Sequence, residues 1–209
     1  MFSYIKYMLK KIPNYIKYIF TNIFFLFIFI AFFRGLFYVF FASLDNASSQ
    51  EIQKALLLGL RFDLKLAILT FFPLAILVLI INHNFFKSVI YKRIAAIYIT
   101  FSYFLLTLFY LFDFGYYEYL AIRLDASSLR FLSNFKISFQ VLIESYPIYK
   151  GVFGLAILCF ISYKFAAYIF KTHTKAHQKT TNKLKAVFFV FTFLTLSFGV
   201  FNSITHYPL

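Results

Sequence analysis

The chain has 209 residues, of which 62% are hydrophobic and 24% aromatic, with a mean hydropathy of +0.80 and a net charge of +14. Soluble domains are about 45–50% apolar, so this composition excludes a water-soluble globular protein and indicates a polytopic membrane protein. The basic residues fall between apolar runs, which favours orientation in a membrane over nucleic-acid binding as the reason for the positive charge.

The N-terminal segment, residues 1–17, places apolar residues at helical spacing and carries four lysines, with Pro13 interrupting the run. This pattern is typical of a basic amphipathic helix that lies on an anionic leaflet. A solvated tail is the alternative interpretation.

Five apolar runs follow, each near the roughly 20 residues needed to cross a bilayer core. All are predicted to be helices, because lipid cannot satisfy open backbone polar groups. The predicted spans are 18–41, 55–81, 94–112, 152–170 and 186–204. The predicted fold class is therefore an all-α membrane protein, with a five-helix transmembrane domain over residues 18–204. Pro73 is expected to kink the second span.

Basic residues are distributed unequally between the segments that flank the spans. Segments 1–17, 82–93 and 171–185 together contain twelve lysines and arginines and no acidic residue, whereas segments 42–54 and 113–151 contain five basic and six acidic residues. The positive-inside rule therefore predicts a cytoplasmic N-terminus and, with five crossings, a C-terminus outside.

The longest outside segment, 113–151, is not uniformly polar. Ser127 and Ser128 are suited to cap a short apolar helix, and a second apolar piece covers residues 138–146. Both are predicted to be short helices lying flat at the outer interface, among tyrosines that fit an interfacial aromatic belt.

Charged residues inside the predicted spans are the main candidates for function. Ionisable side chains at membrane depth cost at least about 3 kcal/mol each by insertion scales, so they are expected to be paired or functional. Counting along the spans at 1.5 Å per residue places Arg34, Arg61 and Asp63 roughly 9–12 Å below the outer end, and Asp113 closes the third span on the same side, so one charged layer is predicted in the outer half of the bilayer. The members of this layer are Arg34, Arg61, Asp63, Lys65 and Asp113.

Helical geometry divides the charges of the second span between two faces. Arg61 and Lys65 share a face, while Asp63 points about 200° away from Arg61. We therefore expect Asp63 to pair with Arg34 of the first span, and Arg61 and Lys65 to face an outward polar groove. Three roles remain open for the layer: an internal salt-bridge network that fixes helix packing, a site for an anionic phospholipid headgroup, and a proton or ion relay through Asp63 and Asp113.

Catalytic constellations are not recognisable in the sequence. There is no Gly-rich phosphate loop, nucleophile elbow, CxxC or HExxH motif. His173 and His177 have a spacing that fits one helical face, but no nearby cysteine or carboxylate completes a metal site. We predict no catalytic residue, cofactor or metal in this chain.

A series of short motifs, taken in order, resembles a known family. The first is Arg34-Gly35, followed by Gly-Leu-Arg-Phe-Asp at 59–63, Asp-Phe-Gly-Tyr-Tyr at 113–117, Arg-Leu-Asp at 123–125, Glu-Ser-Tyr-Pro at 144–147 and His-Tyr-Pro-Leu at 206–209. Together they resemble the N-terminal membrane region of the lipoteichoic acid synthase-like, sulfatase-fold phosphoglycerol or phosphoethanolamine transferases of bacteria. The outer-segment residues that match are Arg123, Asp125 and Glu144.

The resemblance implies a membrane anchor and lipid-facing domain in the bacterial cytoplasmic membrane. In that family a threonine nucleophile and a divalent metal belong to a later extracytoplasmic domain, whose start residues 205–209 would form. The chain alone is therefore expected not to be catalytic, and its partners are expected to be membrane lipids and a catalytic domain or subunit. The alternatives are a small transporter or channel subunit, and a structural membrane protein that binds a partner.

Overall fold

The computed structural model describes residues 12–41, 49–124, 148–174, 187 and 189–195. Every regular element in these ranges is helical, which confirms the all-α part of the predicted fold class. Residues 187 and 189–195 are helical, and a short 3₁₀ helix occupies Asn82–Lys87. The long helices are α1 (Asn14–Phe41), α2 (Ser49–Ile81), α3 (Val89–Leu120) and α4 (Ile148–Thr174).

Four helices of the described residues are long and apolar enough to cross a membrane, which indicates a membrane protein. Their apolar stretches comprise 26–30 residues, or roughly 39–45 Å at 1.5 Å per residue, more than the ~30 Å of a hydrocarbon core. The fifth predicted span, 186–204, lies mostly outside the described residues. So do residues 1–11 of the predicted amphipathic helix and the two interfacial helices predicted between 125 and 147.

The helices are longer than the predicted spans. The helices begin before or end beyond residues 18–41, 55–81, 94–112 and 152–170. The limits were drawn where the apolar run stops, but polar residues such as Gln53 and Lys54 are good helix formers and continue the helix beyond the lipid. As a consequence, Asp113 lies seven residues before the end of α3 and not at a helix end, and the predicted outer segment 113–151 is partly helical at both its ends.

Tertiary contacts divide the chain into two compact units. The first contains residues 1–98 and 166–209, and the second contains residues 99–165. In the second unit, Ile99, Tyr103 and Thr107 are buried at successive turns of α3, and the Thr107 hydroxyl donates to the Tyr103 carbonyl at 2.8 Å. Ser162 donates in the same way to the carbonyl of Cys159. These short bonds satisfy hydroxyls on otherwise apolar helices.

The first unit is built on the packing of α1 against α2. The buried residues of α1 recur every three or four positions and end at Leu26 and Ile30. On α2 every fourth residue from Gly59 is buried, and small residues alternate with large ones along this stripe: Gly59, Asp63, Ala67, Phe71 and Ala75. Small residues allow helix axes to approach closely in a membrane, where packing rather than the hydrophobic effect holds helices together.

An aromatic cluster joins four elements of the first unit. Tyr18 of α1 is fully buried, and five rings lie with their centroids 5.6–6.4 Å from its own. These rings come from α2, the 3₁₀ helix and α4; with Tyr18 they form the Tyr18 cluster: Phe71, Phe85, Phe86, Phe170 and His173. Asn14 adds a polar link between the start of α1 and the end of α4, because its side-chain amide donates to the His173 carbonyl at 3.1 Å.

Pro73 lies inside α2 and cannot donate a backbone hydrogen bond, so the helix carbonyls before it lose part of their normal bonding. The hydroxyl of Tyr98, from α3, donates to the Thr70 carbonyl three residues before the proline, at 2.7 Å. This bond links α3 to the backbone of α2 next to the proline; the carbonyl that the missing Pro73 N–H would bond is that of Leu69, one residue earlier. The helix continues through Pro73 to Ile81.

We expect Tyr18→Ala and Tyr18→Phe to have opposite effects on stability. The alanine variant leaves a void between five rings and should lower the free energy of unfolding by about 3 kcal/mol. The phenylalanine variant keeps the ring and removes a buried hydroxyl that has no hydrogen-bond partner among the described residues, so it should be neutral or stabilising by up to about 1 kcal/mol. Unfolding of the purified chain in detergent measures both. An equal loss in the two variants would show that the hydroxyl is bonded.

Candidate functional site

The predicted pair between Arg34 and Asp63 is present. Arg34 follows Ile30 by four residues and so continues the buried stripe of α1, and Asp63 lies on the buried stripe of α2. The guanidinium donates two hydrogen bonds, from Nε to Oδ2 at 2.7 Å and from Nη2 to Oδ1 at 2.6 Å. This fork-to-fork geometry is the strongest arrangement available to an arginine and a carboxylate.

The two charges differ in their exposure. The Asp63 side chain is 1% exposed, while 32% of the Arg34 side chain is exposed. A buried carboxylate without a counter-charge would be strongly destabilising, and both of its oxygens are occupied by Arg34. With both oxygens bonded to Arg34, Asp63 has the geometry of a structural ion pair, which weighs against the predicted relay through Asp63.

Gly59 makes room for this pair. It lies one helical turn before Asp63 and therefore on the same face of α2. A Cβ at this position would lie 2.9–3.0 Å from the Nη1, Cδ and Cζ atoms of Arg34, closer than such contacts normally are. The sequence-based prediction did not assign this role. The available signal was a glycine inside a helix, where it is unfavourable by about 1 kcal/mol and so needs a packing reason.

Arg61 lies between Gly59 and Asp63 in sequence but on a different side of α2. Its side chain is exposed, and it makes no hydrogen bond or ion pair within the part of the chain that the structure describes. Lys65, one turn further along, is half-buried. The structure thus places Asp63 inside and Arg61 outside, as the 100° rotation per residue predicts. The polar groove predicted beside Arg61 and Lys65 stays a prediction.

A second ion pair closes the end of α3. After Leu120 the backbone of Ala121 takes a left-handed conformation, with φ 55°, and its N–H donates to the Tyr117 carbonyl. The chain then turns back, so that Arg123 donates from Nη2 to Asp113 Oδ2 at 2.6 Å and from Nε to Oδ1 at 3.3 Å. The Leu124 N–H also donates to Oδ1, at 2.9 Å.

The Asp113–Arg123 pair was not predicted, although both residues were candidates. The error follows from ending the helix at residue 112, which hid the reversal of the chain after Leu120. Asp113 is nearly buried, so the pair and the Leu124 N–H together compensate its charge. The geometry of the pair gives Asp113 and Arg123 a structural role: they hold the end of α3 closed.

Asp125 and Glu144 lie outside the described residues. Arg34–Asp63 and Asp113–Arg123 belong to different compact units, and the single layer predicted for these charges stays a prediction.

The described ranges contain no group of three or more His, Cys, Asp or Glu side chains that could hold a metal ion. His173 packs its ring against Tyr18 and directs Nδ1 to the Ile169 carbonyl at 2.9 Å. His177, its predicted neighbour on the same helical face, lies outside those ranges. The contacts of His173 are those of a packed, hydrogen-bonded side chain.

No family model, curated protein or solved structure matches this chain. Within the described residues, the stretch 59–65 combines a compensated buried charge with an exposed arginine, which gives it the capacity to bind an anion at Arg61.

We expect Gly59→Ala to destabilise the first unit although alanine is the better helix former. The added methyl group displaces the Arg34 guanidinium and weakens its two bonds to Asp63. Gly35→Ala is the matched control, because no atom lies within 4 Å of a Cβ there. Gly59→Ala should be less stable than Gly35→Ala by about 1–2 kcal/mol, the net worth of a charged hydrogen bond. Unfolding in detergent measures the difference, and equal stabilities would contradict the proposed close approach.

Proposed function

We propose that this chain is the membrane anchor and lipid-facing domain of a sulfatase-fold phosphoglycerol or phosphoethanolamine transferase, acting at the outer face of a bacterial cytoplasmic membrane. The observation that carries the proposal is the arrangement of the Gly-Leu-Arg-Phe-Asp stretch. Gly59 and Asp63 hold Arg34 within the helix packing, and this leaves Arg61 on the exposed side. The ordered motifs that resemble this transferase family supply the reaction class.

The position of Arg61 along α2 suits contact with a lipid headgroup. Counting about 20 residues, the thickness of a hydrocarbon core, back from Ile81 puts the far boundary near residue 62. Side chains on a helix lean toward its N-terminus, and for α2 that end points out of the membrane in the predicted orientation. Arg61 therefore reaches the headgroup level, where an exposed arginine is stable and can form bidentate bonds to a phosphodiester.

In this proposal the chain positions lipid and does not perform the transfer. The resemblance implies that the threonine nucleophile and the divalent metal would belong to an extracytoplasmic catalytic domain or subunit. The part assigned to these residues is to hold the anionic headgroup of a donor phospholipid through Arg61, with Lys65 one turn below it on the same face.

Two alternatives are distinguished by particular contacts. A transporter or channel subunit needs a water path through the bundle, and the buried rings of the Tyr18 cluster weigh against such a path through the first unit. A purely structural partner protein is favoured by the Arg34–Asp63 geometry, if that pair fixes helix packing and Arg61 binds nothing.

We expect Arg61→Gln and Asp63→Asn to separate lipid binding from stability. Arg61→Gln should lower retention of phosphatidylglycerol about five- to tenfold, the loss of one charged contact, and leave unfolding unchanged. Asp63→Asn leaves Arg34 without its counter-charge and should destabilise the protein by about 2 kcal/mol, less than for a fully buried pair because Arg34 is partly exposed.

The measurement is native mass spectrometry of the purified chain with titrated lipid, alongside thermal unfolding. Lys54→Gln is the control, because Lys54 is exposed on the same helix two turns from Arg61. Unchanged lipid retention in Arg61→Gln, or an equal loss in Lys54→Gln, would contradict a headgroup role and favour the structural alternative.

We expect the native protein to be associated with a phosphotransferase. An antibody against residues 171–185, used on membranes of the source organism, should isolate either a product well above 24.7 kDa or a complex with a catalytic subunit. The isolate should transfer the headgroup of a fluorescent phosphatidylglycerol or phosphatidylethanolamine. An isolate that contains a 24.7 kDa chain alone, with no transfer of either headgroup, would contradict the proposal.

A further inference from the structure

Lysines surround the Tyr18 cluster in a regular way. Each of four lysines is the immediate neighbour in sequence of a ring that belongs to the cluster or stacks on it: Lys17 precedes Tyr18, Lys87 follows Phe86, Lys92 follows Tyr91 and Lys171 follows Phe170. Tyr91 stacks on Phe85 with an interplanar angle of 15°. We call these four residues the lysine ring.

Ring contacts bring the backbones of these lysines close together. The centroids of Tyr18, Phe86 and Phe170 lie 5.1–5.9 Å from one another. Successive helix residues diverge by about 100°, so an aromatic residue that points into the cluster directs its lysine neighbour to the outside. In agreement with this, Lys87, Lys92 and Lys171 are exposed and Lys17 is half-buried.

None of the acidic residues in the described ranges lies close in sequence to a member of the lysine ring. The acidic residues there are Glu51, Asp63, Asp113 and Glu118, which lie in the first half of α2 and the last third of α3. None lies on the 3₁₀ helix, near the start of α1 or α3, or at the end of α4. Four lysines from four elements therefore flank one cluster of contacting rings, the elements that carry them have no carboxylate close to them in sequence, and Arg93 follows Lys92 directly.

Two members of the lysine ring lie near helix N-termini, where a cation is disfavoured. Lys17 is the fourth residue of α1, and Lys92 and Arg93 are the fourth and fifth residues of α3. The N-terminal turn of a helix carries a partial positive charge, so a bound anion would offset the repulsion of these side chains. Lys87 and Lys171 lie in the last turns of their helices, where the dipole favours a cation, and the anion would offset only their mutual charge.

We propose that the lysine ring binds the headgroup of a phospholipid that carries two phosphate groups. One phosphodiester neutralises only one charge, whereas the lysine ring presents four cations from separate elements. A second phosphate on the same lipid can engage further lysines at the same time. Basic pockets between transmembrane helices bind headgroups of this kind. Apolar surface for the acyl chains is available beside the ring, because Val89, Ile90 and Tyr168 are 67–70% exposed. The inference depends neither on the transferase role nor on which leaflet the ring faces.

Binding of two lipids to the full-length chain in detergent tests this inference. Cardiolipin, with two phosphates, is compared with twice the concentration of phosphatidylglycerol, so that total lipid charge is equal, and retention is measured by native mass spectrometry. The ring variant is Lys87→Gln/Lys92→Gln/Lys171→Gln. The control variant, Lys54→Gln/Lys150→Gln/Lys164→Gln, removes the same charge from exposed lysines elsewhere in the described chain.

The expected result is a preference for cardiolipin of at least about tenfold, corresponding to the gain from a second charged contact, in the native chain and the control variant. The ring variant should bind both lipids equally weakly while its thermal unfolding stays unchanged. Equal retention of the two lipids by the native chain, or an equal loss in both variants, would overturn the proposal. Displacement of cardiolipin by an equal concentration of inorganic diphosphate would contradict the proposal that the occupant is a lipid, and it would indicate a site for a soluble anion.

Discussion

The structure of the first unit depends on the compensation of one buried carboxylate. Asp63 lies within the packing of two apolar helices, where water cannot solvate its charge, and Arg34 supplies both the counter-charge and two hydrogen bonds. This pairing requires α1 and α2 to meet with Arg34 opposite Asp63, and the Arg34 side chain crosses Gly59 so closely that a Cβ there would displace it. In a membrane, apolar side chains gain no hydrophobic free energy by contacting a helix instead of lipid. The ion pair therefore adds a specific register to the packing of α1 against α2.

The Tyr18 cluster provides the other constraint on the same unit. Rings from four elements pack around one tyrosine, and the short 3₁₀ helix contributes two of them although it has only six residues. An ionic interaction therefore fixes α1 against α2 towards the end of α1 and the start of α2, and aromatic packing joins α1, α2 and α4 at the start of α1. Between them, the hydroxyl of Tyr98 bonds the Thr70 carbonyl and ties α3 to the backbone of α2 near Pro73.

Much of this architecture could be predicted from the sequence, and the exceptions have specific causes. The helices, their apolar character and the Arg34–Asp63 pair follow from hydropathy, residue counting and the 100° rotation per residue, all of which are local properties. Gly59 could not be assigned, because its role depends on how the Arg34 side chain crosses it. The Asp113–Arg123 pair and the Tyr98–Thr70 bond depend on a chain reversal and on a neighbouring helix, neither of which a periodic pattern reports. The placement of Asp113 at a helix end was wrong, because hydropathy marks the edge of the apolar run and not the last helical hydrogen bond.

The stretch from Gly59 to Asp63 uses the rotation of a helix to divide neighbouring residues between interior and exterior. Leu60 and Phe62 are both exposed, so other apolar side chains can replace them without disturbing Arg34. A one-residue insertion or deletion there would turn Asp63 by about 100° relative to Gly59 and move the carboxylate out of reach of the guanidinium. The pairing with Arg34 therefore tolerates changes at positions 60 and 62, but it requires three residues between the glycine and the aspartate, which is the spacing of one helical turn.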